Sequence, residues 1–104
     1  MLHHFGNEQQ KQSFIDACLR GKFRMAFGLT EPDHGSDATF MSTTACQSRG
    51  GFQITAAKKW QTGAHHCAHF LIFARTSGQA GSARGITAFL VPSETRGVRI
   101  VSYE

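Results

Sequence analysis

Cysteine, proline, tryptophan and tyrosine are all scarce in this 104-residue chain, which has three, two, one and one of them. Cys18, Cys46 and Cys67 form an odd set with no short repeated spacing, which argues against a secreted disulfide framework and for a reducing compartment such as a cytoplasm or an organelle matrix. No apolar run approaches the roughly 18 residues that a bilayer span needs. The opening "MLHHFGNEQQ" lacks the charged-then-apolar order of a secretory signal, so the expectation is a chain neither exported nor anchored. No block of like charge is present either. The net charge of +4, from 11 basic and 7 acidic residues, is spread along the chain and gives little reason to expect bulk attraction to nucleic acid.

Apolar residues are well supplied. At 40% hydrophobic and 17% charged, with nine Phe, the composition is that of a folded globular chain rather than a disordered one. A chain of this size buries about two thirds of its unfolded surface, enough for one modest core and not for two. Phe14, Ile15, Cys18 and Leu19 share a helical face, Asn7 and Gln10 have the spacing of a capping box, and Gly21 supplies a stop, so one helix is expected.

Beyond it the pattern shortens. "FRMAFGLT", "ATFMSTTACQS", "FQITAAKK", "HFLIFART", "ITAFLVP" and "VRIVSY" are strand-length segments separated by turn residues, with "SRGG" as a hairpin signal between the second and third. The loop "SGQAGSARG" reads as longer and mobile. Six short strands with no helical pattern between them predict a mainly β fold, a small antiparallel Greek-key barrel or sandwich preceded by one α-helix.

Two stretches carry chemistry. "TEPDHGSD", residues 30 to 37, suits consecutive tight turns, with Thr30, Ser36 and Asp37 able to bond local amides. It reads either as a polar connection or as a loop whose N–H groups face an anion such as a phosphate. In "KKWQTG" the single Trp precedes a hydroxyl: Trp60 and Thr62 can wall an aromatic-ring site, or Trp60 can simply cap the core at a strand end. "HHCAH" supplies His65, His66, Cys67 and His69, but adjacent residues on a strand point apart and no common zinc spacing is present, so no native metal site is expected. Lys58, Lys59, Arg75, Arg84, Arg96 and Arg99 read as solvated strand edges in preference to a phosphate-binding face. Cys18 and Cys67 lack a paired base and are expected to pack as small hydrophobes.

Taken in order, "GNEQQKQSF", "MAFGLTEPDHGSDA", "GGFQITAAKKWQTGA", "FLIFART" and "GITAFLVP" resemble the middle region of the acyl-CoA dehydrogenase family, flavoenzymes that oxidise acyl-CoA thioesters. The resemblance runs from about Phe5 to the end. It implies that residues 1–22 are the terminal helix of an N-terminal helical domain and residues 23–104 the family's middle β domain, incomplete at its C-terminus. It also implies FAD as cofactor, with Phe27, Leu29 and Thr30 against the flavin and its polyol, Ser36 on a pyrophosphate or the acyl-CoA, Trp60 flanking the isoalloxazine and Thr62 hydrogen-bonding near the flavin atom that receives hydride. Gln61 stands between them where an aliphatic residue is usual, and His34 and Phe40 replace small residues. The family's catalytic glutamate belongs to C-terminal helices outside this chain, so none is assigned here and Glu104 is not taken as the base. Acyl-CoA as substrate, an electron-transfer flavoprotein as electron acceptor and a homo-oligomer are implied for the parent protein. An acyl-CoA oxidase, a flavin monooxygenase, or a non-catalytic β-barrel binding or oligomerisation module stay open as alternatives.

Overall fold

The structure is a computed structural model that describes residues 1–101. A short helix α1, Leu2–Phe5, precedes the main helix α2, Glu8–Leu19. The capping box that starts α2 is formed: the Asn7 side chain accepts from the Gln10 N–H at 2.8 Å, and the Gln10 side chain accepts from the Asn7 N–H at 3.0 Å. At its end the N–H of Gly21 donates to the Cys18 carbonyl and that of Lys22 to the Ala17 carbonyl, with Gly21 at φ 69°. These are the two bonds of a Schellman stop. Phe14 and Ile15 are half-buried as the helical spacing implies, whereas Leu19 and Cys18 are exposed, so Cys18 does not pack as a core residue.

Five strands follow: β1 Met25–Gly28, β2 Thr44–Ser48, β3 Gly51–Thr55, β4 His69–Arg75 and β5 Ile86–Pro92. The chain is thus mainly β behind one substantial helix, as expected, but the sheet is mixed and open. β4 is its centre: β1 runs parallel to it with Met25 opposite His69 and Gly28 opposite Ile72, β5 runs antiparallel along its whole length, and β2 joins it at the Thr44–Arg75 pair. β3 hangs from β2 as an antiparallel hairpin. Hydrophobic periodicity reports which residues are covered and not which way a neighbouring strand runs. The parallel β1–β4 pairing therefore had no local signature. β4 is apolar at most positions on both faces, which suits a strand with neighbours on either edge.

The hairpin at "SRGG" forms with Arg49 at φ 47° and Gly50 at φ 79° between the paired Ser48 and Gly51. Two positive-φ residues in a two-residue loop match the twist of the strands they join. Most of the expected strands differ in extent, and three differ most. The second begins only at Thr44, because Ala38–Phe40 forms a 3-10 turn; the third ends at Thr55; and residues 98–101 of the sixth form no strand, its remainder and Glu104 lying outside the described residues. The core is small, made of Ala26, Met41, Ala45, Phe70, Leu71 and Ala74.

Two satellites extend it. Phe14 of α2 packs against Phe23 and His69 with ring centroids 4.9 to 5.0 Å apart, and Phe52 of β3 meets Phe89 of β5 at 5.0 Å. The loop between β4 and β5 is tied down rather than loose. The Arg75 guanidinium donates to the carbonyls of Ser77, Ser82 and Arg84 within it and to that of Thr39 outside it, at 2.7 to 3.2 Å.

Candidate functional site

The two stretches singled out by composition come together at the C-terminal end of β1. Leaving β1, the chain passes Leu29 and Thr30 and turns at once: the Glu31 N–H donates to the His34 carbonyl at 3.0 Å and the His34 N–H returns to the Glu31 carbonyl at 3.3 Å. Pro32 and Asp33 form the exposed tip of that turn, and Ser36 stands exposed in the bend that follows. Ser36 makes no side-chain hydrogen bond among the described residues, while Asp37 accepts from the Thr39 hydroxyl at 2.9 Å. His34 lies over Phe40 with ring centroids 6.3 Å apart and planes 24° apart.

The residues from Lys58 to Gln61 run beside this turn. The Lys59 N–H donates to the Thr30 carbonyl at 2.8 Å, and the Lys58 ammonium donates to the Leu29 carbonyl at 3.2 Å and to the Glu31 carboxylate at 2.9 Å. Gln61 reaches Gly28: a Cβ on that glycine would lie 3.6 Å from the Gln61 amide oxygen, 3.3 Å from the Leu71 carbonyl and 2.5 Å from Ile72 Cδ1. Only glycine leaves this crossing undisturbed. Of the expected cofactor residues, Leu29 and Thr30 are thus bonded to Lys58 and Lys59, which lead directly into Trp60 and Gln61. Thr62 is exposed two residues beyond Trp60 in chain order, and Phe27 is exposed on β1 with its ring 5.0 Å from Phe73. No hydrogen bond joins Ser36 to these residues.

Trp60 does not cap the core. It is 64% exposed, has φ 60°, and carries the Lys59 ammonium 4.4 Å above its ring. The left-handed region crowds the Cβ of any residue other than glycine, at a cost of about 1–2 kcal/mol, so the surrounding bonds must hold this conformation.

Beside Trp60 in the chain lies a buried ion pair that sequence reading passed over. The side chains of Lys58 and Glu31 are 3% and 4% exposed. Lys58 is accordingly not a solvated strand edge. Glu31 Oε2 accepts the Ser42 N–H at 2.6 Å, and Oε1 accepts the Thr43 N–H at 3.0 Å as well as the hydroxyl of the fully buried Thr43. Burial by itself would push this carboxyl up, but the hydrogen bonds from the Thr43 hydroxyl, the Ser42 amide, the Lys58 ammonium and the Thr43 amide outweigh it and hold the group at about 2. Glu31 lies 27 residues from Lys58 and 11 and 12 from its amide donors, so no local pattern announces the arrangement.

The histidine-rich stretch builds nothing comparable. His69 sits between Phe14 and Phe23 with Nδ1 buried and unpaired, and burial pulls its titration below the ordinary value. Burial pushes the Cys67 thiol up, and its Sγ donates to the Ala64 carbonyl at 3.2 Å. Among the described residues no three His, Cys, Asp or Glu side chains are grouped as metal ligands would be.

Comparison with known proteins identifies the family. The acyl-CoA dehydrogenase middle domain matches residues 26–104. The caffeyl-CoA reductase-Etf complex subunit CarC of Acetobacterium woodii is 39% identical over 93 residues, covering 89% of this chain and 24% of that protein. Glutaryl-CoA dehydrogenase of Mycobacterium smegmatis superimposes with a TM-score of 0.82 at 36% identity, and the FAD complex of PigA with 0.86 at 33%; each alignment covers 92% of this chain and 23% and 25% of the solved chains. The chain thus spans about a quarter of the length of these relatives, and it belongs to the acyl-CoA dehydrogenase family.

Proposed function

We propose that this chain, as a member of the acyl-CoA dehydrogenase family, supplies one wall of an FAD site and part of the acyl-CoA contact in a flavin-dependent protein that acts on acyl-CoA thioesters. The observation that carries the reading is Trp60, exposed, held at φ 60° and bonded through its neighbours to the Leu29–Thr30 segment. In this reading residues 1–22 end an N-terminal helical domain and residues 23–104 belong to the middle β domain. No residue of this chain is assigned as the catalytic base. The parent protein is proposed to be a homo-oligomer that exchanges electrons with an electron-transfer flavoprotein. Among the described residues no helix is long and apolar enough to cross a membrane.

The residues present fit a flavin in kind. Phe27 and Trp60 offer exposed aromatic surface for a planar ring, while Thr30, Gln61 and Thr62 offer donors and acceptors beside it. Ser36, whose hydroxyl makes no hydrogen bond among the described residues, is available to an anionic oxygen of the pyrophosphate or of the acyl-CoA. Bound flavin supplies the two-electron acceptor for α,β-dehydrogenation. The protein's own part is positioning: Trp60 and Phe27 exclude water from one side of the ring, and the Thr62 hydroxyl is an oriented donor where ring charge changes.

Titrating the purified chain with FAD while following flavin fluorescence tests this reading. Saturable binding, weakened about five- to thirtyfold by Thr62→Ala and by Trp60→Ala, is expected, since each removes a contact of about 1–2 kcal/mol. Binding unchanged by either substitution would contradict the assignment. An absence of saturable binding, together with stable self-association, would favour a non-catalytic β module instead.

A further inference from the structure

We propose that the Glu31–Lys58 pair is a clamp that positions the ring-facing residues, rather than an element that only stabilises the fold. The pair joins the two chain segments that hold Thr30 and Trp60 and touches neither residue's side chain. Lys58 bonds the Leu29 carbonyl and the Glu31 carboxylate, and the next N–H, that of Lys59, bonds the Thr30 carbonyl. Three consecutive residues on one side, 29 to 31, are thus matched to two on the other, immediately before Trp60. Glu31 in turn is anchored from behind by the Ser42 and Thr43 amides, so the pair is referenced to the start of β2. A clamp of this kind explains why an exposed tryptophan keeps a left-handed backbone, since the residue before it and the one after it, Gln61 against Gly28, are both fixed.

The geometry also explains why an ion pair serves where an apolar contact would not. An apolar pair would fill the space but would leave the Leu29 carbonyl and the Ser42 and Thr43 amides without these partners, in a setting that is buried at Thr43 and part-buried at the other two. A carboxylate accepts several donors and an ammonium donates to several acceptors, so one contact sets three directions at once. The purpose given to the clamp rests on the flavin reading above. Its geometry can be tested without any flavin, so the two ideas fail separately.

The test is amide hydrogen exchange with the Trp60 emission spectrum, on the wild-type chain, Lys58→Met and the Glu31→Gln/Lys58→Met double variant. Lys58→Met leaves the carboxylate its three remaining donors but no counter-charge, and the double variant, which leaves no buried net charge, keeps the test readable should the single variant lose too much stability. In both, the Lys59 amide is expected to exchange about tenfold faster or more through a local opening that depends little on added urea, whatever global destabilisation accelerates the Phe70 to Ala74 amides of β4 through urea-dependent unfolding. The emission maximum or quenching of Trp60 should change with them. Lys59 acceleration that carries the same urea dependence as that of the β4 amides would show that the pair only stabilises the fold and would overturn the proposal. Unchanged Lys59 exchange and Trp60 emission would overturn it equally.

Discussion

Replacing Glu31 by Gln should remove a pH dependence that the wild-type chain owes to one buried carboxylate. In the fold this carboxyl titrates at about 2 instead of the ordinary 4.5. At about 1.36 kcal/mol per pH unit, the difference amounts to about 3 kcal/mol. The sign follows from the depressed value: the stabilisation is fully present above pH 4.5 and is lost as the pH falls towards 2, where the folded carboxyl also takes up its proton. Urea unfolding of the wild-type chain and of Glu31→Gln, from pH 6 down to pH 2, measures it. The gap between the two should shrink by about 3 kcal/mol, and subtracting one protein from the other removes His69 and the exposed acids, which titrate in both. A gap that stays constant across that range would refute the claim that the Thr43, Ser42 and Lys58 bonds outweigh burial.

Two further substitutions probe the frame of the site. Gly28→Ala should destabilise the chain by about 1–2 kcal/mol in urea unfolding, because its Cβ would fall 2.5 Å from Ile72 Cδ1, a side-chain end that can move, and 3.3 Å from the Leu71 carbonyl, which cannot move freely. Arg75→Gln should release the loop from residue 77 to residue 85, since four carbonyls lose their donor; limited trypsin digestion should then cut after Arg84 far faster than in the wild type, and equal rates would show that the loop is held by other means.

Features with local causes were legible in the sequence. The Asn7–Gln10 box, the Gly21 stop, the "SRGG" hairpin and the β4 and β5 segments all depend on residues a few positions apart, and each is found. Features set by distant partners were not. Nothing near Met25 says that β1 will run parallel to β4, and nothing near Lys58 says that its charge will meet Glu31 in the interior. Arg75 looked like a strand-edge cation because its four carbonyl partners come from a loop and a 3-10 turn. For the site, the residue types of "TEPDHGSD" and "KKWQTG" marked two stretches that the fold brings together, but the buried pair that joins them, beside the Lys59 amide, is one that no spacing reveals. The exposure of Trp60 was equally hidden, since an indole at the end of an expected strand is as good a core cap as a binding wall until its backbone angle is known.

The most direct test of the account uses Trp60 as its own reporter, because it is the only tryptophan in the chain. Its emission should be followed during FAD titration beside the flavin signal. If Trp60 forms the flavin wall, its fluorescence will be quenched saturably with the same midpoint as flavin binding, and both midpoints will shift together in Thr62→Ala. Flavin that binds while Trp60 emission stays unchanged would place the cofactor elsewhere and contradict the account.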